Sequence, residues 1–90
     1  MNGDVILRAD GSDPVGVSPK NARKGYELNE LYAHTASSLV EIVQTRIAGL
    51  ILVCDEEGQI NRKPLNVRAS MIAGKPIVGD VLVCRNTHVK

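Results

Sequence analysis

The chain has no phenylalanine and no tryptophan, and its only aromatic rings are those of Tyr26 and Tyr32 and the two histidines. A base-stacking platform for nucleic acid needs a row of exposed rings, so this composition argues against one. An excess of one charge is also missing: 11 basic residues face 10 acidic ones, for a net charge of +1. Non-specific nucleic-acid binding draws most of its affinity from a basic surface, so nucleic acid is not the expected partner. Cysteine is scarce. Cys54 and Cys84 each sit inside an apolar run, which reads as two buried thiols in a reducing cytoplasm. A disulfide would need neighbouring strands that bring the two sulfurs into bonding geometry. Neither a signal-peptide pattern nor an apolar run of membrane-spanning length is present, so the expectation is a soluble cytoplasmic protein with no membrane partner.

What is present is a chain of 90 residues, 43% of them hydrophobic, which is enough for one small domain. Without large rings, the interior must be filled by Val, Ile, Leu, Met and Ala. A domain of this size leaves much apolar surface uncovered, so burial between copies, a homo-oligomer, is expected.

Three segments follow from composition: residues 1–24 as an N-terminal hairpin or extended arm, 25–85 as the core domain, and 86–90 as a loose polar tail. Val5–Leu7 and Val15–Val17 read as short strands around the turn cluster Asp10–Pro14. Leu28, Leu31, Tyr32 and Thr35 repeat at helical spacing, which predicts a first helix over Glu27–Ser37 without a strong N-cap. Leu39–Arg46 alternates as a partly exposed strand, and Leu50–Cys54 reads as a central strand buried on both faces. Asp55–Gly58 is a turn in which Gly58 supplies the left-handed residue, after which Gln59 and Ile60 resume extended structure. Asn66 is a natural N-cap for a short helix over Val67–Ala73 that ends at Gly74. Ile77–Cys84 is the last strand, with Gly79 and Asp80 marking a bend. The sum is an α+β domain: a small, mainly antiparallel β-sheet of roughly four to six strands, one longer helix and one short one.

The motifs Gly25-Tyr26, Leu28, Glu30-Leu31, Glu56-Glu57-Gly58, Pro64-Leu65-Asn66, Ala69, and Ile77, Gly79-Asp80-Val81, Val83 form an ordered set. In them the chain resembles a family of small proteins of unknown function encoded by bacteria, phages and plasmids. The resemblance runs from Gly25 to Cys84. In that family a Gly-rich step follows the first helix, where this chain has Ala36, Ser37 and Ser38. The resemblance implies an accessory protein of a mobile element. Such genes often act against host defence, by blocking a defence protein or by capturing its nucleotide messenger.

No residue set makes a catalytic signature. The consecutive acids Asp55, Glu56 and Glu57 lack the alternate spacing of a calcium loop and read as a solvated tip. His34 and His88 read as surface histidines, with no ligand at metal spacing. Cys54 in an apolar run is a poor nucleophile. The expectation is therefore a protein with no enzyme activity, no metal and no cofactor. Two basic groups, together with the amide end of the helix that Asn66 starts, are the candidate ligand site. Lys20, Arg23 and Lys24 lie in one loop, while Arg62, Lys63 and Arg68 flank the Asn66 helix start. If they converge, they would hold a nucleotide-like anion. Two functions follow: a binding protein that occupies a host protein, or an oligomeric sponge for a nucleotide-like small molecule.

Overall fold

The apolar runs in Val5–Leu7, Leu50–Cys54 and Val81–Cys84 become the three inner strands of a single sheet. The computed structural model describes residues 3–89, so Met1, Asn2 and Lys90 lie outside the described residues. Five strands are formed in chain order: β1 (Asp4–Leu7), β2 (Val15–Val17), β3 (Val40–Gln44), β4 (Leu50–Asp55) and β5 (Val81–Arg85). Helix α1 (Leu28–Thr35) connects β2 to β3, and α2 (Val67–Ala73) connects β4 to β5. The spatial order is β2-β1-β5-β4-β3, antiparallel throughout. This is the α+β architecture expected, with one longer and one shorter helix. Within residues 3–24, β1 and β2 form a hairpin of the same sheet.

Strand alternation assigns the two faces. Ile6, Ile51, Val53, Leu82 and Cys84 point to the α1 side, where Tyr26 and Leu31 cover them. Val5, Leu7, Val43, Leu52, Cys54, Val81 and Val83 point to the other side, under Ala69 of α2 and Ile77. A sheet buried on both faces explains why its inner strands read as unbroken apolar runs rather than alternating ones. It also settles the cysteines. Ile51 pairs with Cys84, and Cys54 is three residues further along β4, so the thiols lie on opposite faces and both are free.

Helix α1 is shorter than the periodicity suggested. Leu28 stays exposed, and the buried residues are Glu30, Leu31 and Thr35. Its start is firmer than the sequence indicated. The Glu30 carboxylate accepts from the Glu27 amide at 2.7 Å and the Lys20 amide at 3.0 Å. Those two amides hold the Glu30 carboxyl below its ordinary range. The helix ends on Ala36, left-handed at φ 49°, a conformation that usually selects glycine.

Three local expectations are corrected. Residues 56–62 are a run of turns with no extended structure at Gln59–Ile60, and the left-handed residue there is Arg62 (φ 55°), not Gly58. Gly58 is needed for a different reason, because a Cβ would strike Val78. β5 begins only at Val81, since Gly79 (φ 79°) turns the chain and Val78 makes a lone bridge to Leu65. The tail is docked rather than loose. Residues Asn86–His88 form a 3-10 turn, the His88 carbonyl accepts from the Tyr26 amide at 2.7 Å, and Val89 packs on the α1-side core.

Candidate functional site

On the α2 side, a groove of about 540 Å³ opens over the Glu41 and Cys54 positions of β3 and β4. Glu41 and Cys54 face it from the sheet, the Asp55–Ile60 turns form one wall, and Lys75–Val78 form the other. Cys54 is only 4% exposed. Burial, with the Glu41 charge second, pushes its thiol up to about 11, so it is neutral and unreactive at neutral pH. Burial does the same to Cys84, which is raised to about 12, with the Asp4 charge adding to it.

Exposed apolar side chains lie on the groove wall, next to it and on α2. Ile60 on its wall is 78% exposed. Leu65, bridged to the Val78 wall, is 51% exposed, and Val67 and Met71, one turn apart on α2, are 60% and 76% exposed. Val67 and Met71 share a face because residues four apart on a helix lie above one another. The buried side of α2 is carried by Ala69, with Ile72 and Ala73 packed against the core.

The basic residues singled out by the sequence have separate fates. Lys20 lies beside a shallower pocket with Asn29, Glu30 and His34, near the start of α1. The Arg23 and Lys24 amides both donate to the Asn21 side chain, at 3.0 and 3.1 Å, which closes a tight turn ending at Gly25. Arg62 is exposed on the loop. Lys63 is built into the fold: its ammonium donates to the Thr35 and Ala36 carbonyls at 2.9 and 2.7 Å and pairs with Asp55 at 2.8 Å. It therefore caps the C-terminal end of α1, where positive charge is favoured. Gly79 makes room for the Lys63 stem, which a Cβ would meet at 2.7 Å.

Asn66 is 1% exposed. As predicted, it caps α2 by accepting from the Ala69 amide at 3.1 Å, and its amide group also donates to the Leu7 and Gly79 carbonyls. The Arg68 guanidinium donates to the Ser12 and Arg8 carbonyls at 2.6 and 3.2 Å, pinning the β1–β2 turn to α2. Lys20 thus sits at one end of α1, Lys63 at the other, and Arg68 on α2 across the sheet. The contacts of Lys63, Asn66 and Arg68 are made to the protein's own backbone and side chains.

Sequence reasoning missed one polar cluster. The Asp4 side chain is 4% exposed and sits between Tyr26, whose hydroxyl donates at 2.7 Å, and His88, whose Nδ1 lies 2.6 Å away. Burial and the bond to Asp4 push the Tyr26 phenol well above its ordinary range. His88 is therefore a structural partner rather than a surface histidine. The signal in the sequence was Gly25, held at φ 79° where a Cβ would collide with the His88 carbonyl.

Among the described residues, no group of three or more His, Cys, Asp or Glu is placed to hold a metal, and no helix is long and apolar enough to cross a membrane. No curated protein and no solved structure matches the chain. The family described as a domain of unknown function, DUF3846, matches residues 3–89, and so takes in the N-terminal hairpin and the docked tail as well as the motifs from Gly25 to Cys84. On that match, spanning nearly the whole chain, the protein belongs to this family.

Proposed function

We propose that the protein is a non-enzymatic binding protein that acts by occupying another protein through the α2 side of its sheet. The observation that carries this reading is the exposure of Ile60 on the groove wall, of Leu65 bridged to that wall, and of Val67 and Met71 on α2, each more than half open to solvent. Single exposed apolar residues are ordinary, but a set collected on one side of a small domain marks an interaction surface. A flexible, exposed Met on α2 suits a partner's apolar side chain. The groove's chemistry favours binding over turnover, because burial raises the Cys54 thiol on its floor. The resemblance to proteins of bacteria, phages and plasmids extends the proposal: a mobile-element protein in the cytoplasm of a bacterial host, blocking a host protein.

The test is affinity capture from bacterial lysate with the native protein and with a Val67→Ser, Met71→Glu variant, alongside native mass spectrometry of both. A defined protein retained by the native chain and lost with the variant supports the reading. Both altered side chains are solvent-facing, so circular dichroism should be unchanged. A small molecule of fixed mass carried by both proteins, with no protein partner, would overturn it in favour of the sponge.

A further inference from the structure

The two edges of the sheet are not equivalent. Antiparallel partners exchange hydrogen bonds at alternate positions, so every second residue of an edge strand turns its N–H and C=O outward. The Glu56 amide donates to the Leu39 carbonyl at 3.0 Å, which fixes the phase of the β3–β4 ladder. With the register Val40–Asp55, Glu41–Cys54, Ile42–Val53, it follows that Glu41 and Val43 bond to β4. Val40, Ile42 and Gln44 present their backbone groups to solvent. On the opposite edge, the same logic leaves Gly16 as the one outward-facing residue of β2, because Val15 and Val17 bond across to Ile6 and Asp4. The β2 edge is thus nearly closed, while the β3 edge is open along its length. β3 has no Lys, no Pro and no bulge, three of the usual guards of a free edge, and its single charge, Glu41, sits on a residue that bonds to β4.

We propose that two copies of this chain pair antiparallel along β3, centred on Ile42, to form one continuous ten-stranded sheet. This register puts Ile42 opposite Ile42 and Val40 opposite Gln44 of the second copy, which are the outward-bonding positions on both strands. Three residues on each strand, each with one N–H and one C=O, then close six hydrogen bonds. Ile42 is 47% exposed in the single chain, and the pairing lays it against its own symmetry mate. Charge selects the same register. Glu41 is the one charged residue of β3, and here it stands opposite Val43 of the second copy. Shifting the centre by one residue to Glu41 would set the two carboxylates directly opposite each other, an unfavourable cross-strand pair. Centring on Val43 would oppose Val40 to Arg46, beyond the end of the strand. The twofold arrangement is isologous and self-limiting, because it uses up the open edge on both copies.

Sedimentation equilibrium on the native chain and on Ile42→Lys and Ile42→Glu, separately and mixed, tests this. The native protein should be dimeric at about 100 μM, as suits an interface of modest area. Each variant alone should dissociate at least about 100-fold more readily, because like charges meet on the twofold axis. An equal mixture of the two should associate more tightly than either alone. A native chain that stays monomeric would overturn the proposal and leave β3 open to a strand of a different protein. Variants that dimerise like the native chain would place the interface elsewhere and also overturn it. Amide hydrogen exchange on the native protein gives an independent reading that does not rely on variants folding. The Val40, Ile42 and Gln44 amides should gain protection with concentration, and fast exchange in a dimer would sink the assignment.

Discussion

Lys63 shows how a residue with an anion-binding look can be absorbed by the fold. Its ammonium joins three things that are far apart in sequence: the last carbonyls of α1, the end of β4 and the turn before α2. Asp55, with a side chain only 2% exposed, depends on it. Burial alone would raise the Asp55 carboxyl, but the bonds from Lys63, the Glu57 amide and Asn61 outweigh it and hold the group below 3.8. Lys63→Met should therefore cost about 3 kcal/mol in urea unfolding at neutral pH, because it leaves a buried carboxylate unpaired. The sign with pH follows from the lowered value. The stabilisation is complete above the unfolded value of 3.8 and fades as pH falls through the lower, folded one. The gap between native and variant should narrow on acidification below that point; a gap that stays constant would mean the lysine acts through its bonds to the Thr35 and Ala36 carbonyls rather than through Asp55.

At the scale of the element, the C-terminal end of α1 is one of two places, with Arg62, where a non-glycine residue among those described takes a left-handed backbone. Ala36 occupies a left-handed conformation that an L side chain resists, and Thr35 and Ser37 offset this with a 2.6 Å hydroxyl pair and a bond from Thr35 to the Leu31 carbonyl. Ala36→Gly should stabilise the protein by about 1 kcal/mol, read as a higher urea midpoint with unchanged slope. An unchanged or lower midpoint would show that the unfolded chain's gain in freedom cancels the relief. Elements built from local pattern were legible: the hairpin around Asp10–Pro14, the Leu50–Cys54 strand and the Asn66-to-Gly74 helix lie where propensity and capping put them. Those decided by distant contacts were not. The N-terminus of α1 is set by Lys20 and Glu27 amides meeting Glu30, and β5 is cut short because Gly79 turns to admit Lys63. The tail is ordered by Asp4, more than 80 residues away. For the site, the basic residues were visible but their engagement by carbonyls was not, since a backbone partner leaves no mark on composition. The exposure of Val67 and Met71 was likewise hidden, because a helix of seven residues shows too little period to tell its two faces apart.

Taken whole, the molecule separates its surfaces: α1 seals one side of the sheet, α2 and the groove occupy the other, and β3 lies along the rim. Pairing through the rim would set two grooves on the same side of a longer sheet, so a partner with two copies of its own would be held at both. The contact between Asp4 and His88 has another consequence, for the covalent order of the chain. These residues belong to the first and last described elements, yet their side chains meet at 2.6 Å. The path through the fold is therefore nearly a closed loop, and the position of its opening is a matter of connectivity rather than of packing. A linker of about five residues could join Gly3 to Val89, since each extended residue spans roughly 3.3–3.6 Å. New ends could then be cut between Ile47 and Ala48, in the exposed turn that joins β3 to β4. Such a circular permutant should keep the native circular dichroism spectrum and unfold in one cooperative step. Loss of cooperativity would mean that the β3–β4 turn must be intact for the sheet to form. A permutant that folds would carry β3 as its final strand, where the rim could be lengthened, tagged or removed without disturbing the rest of the sheet.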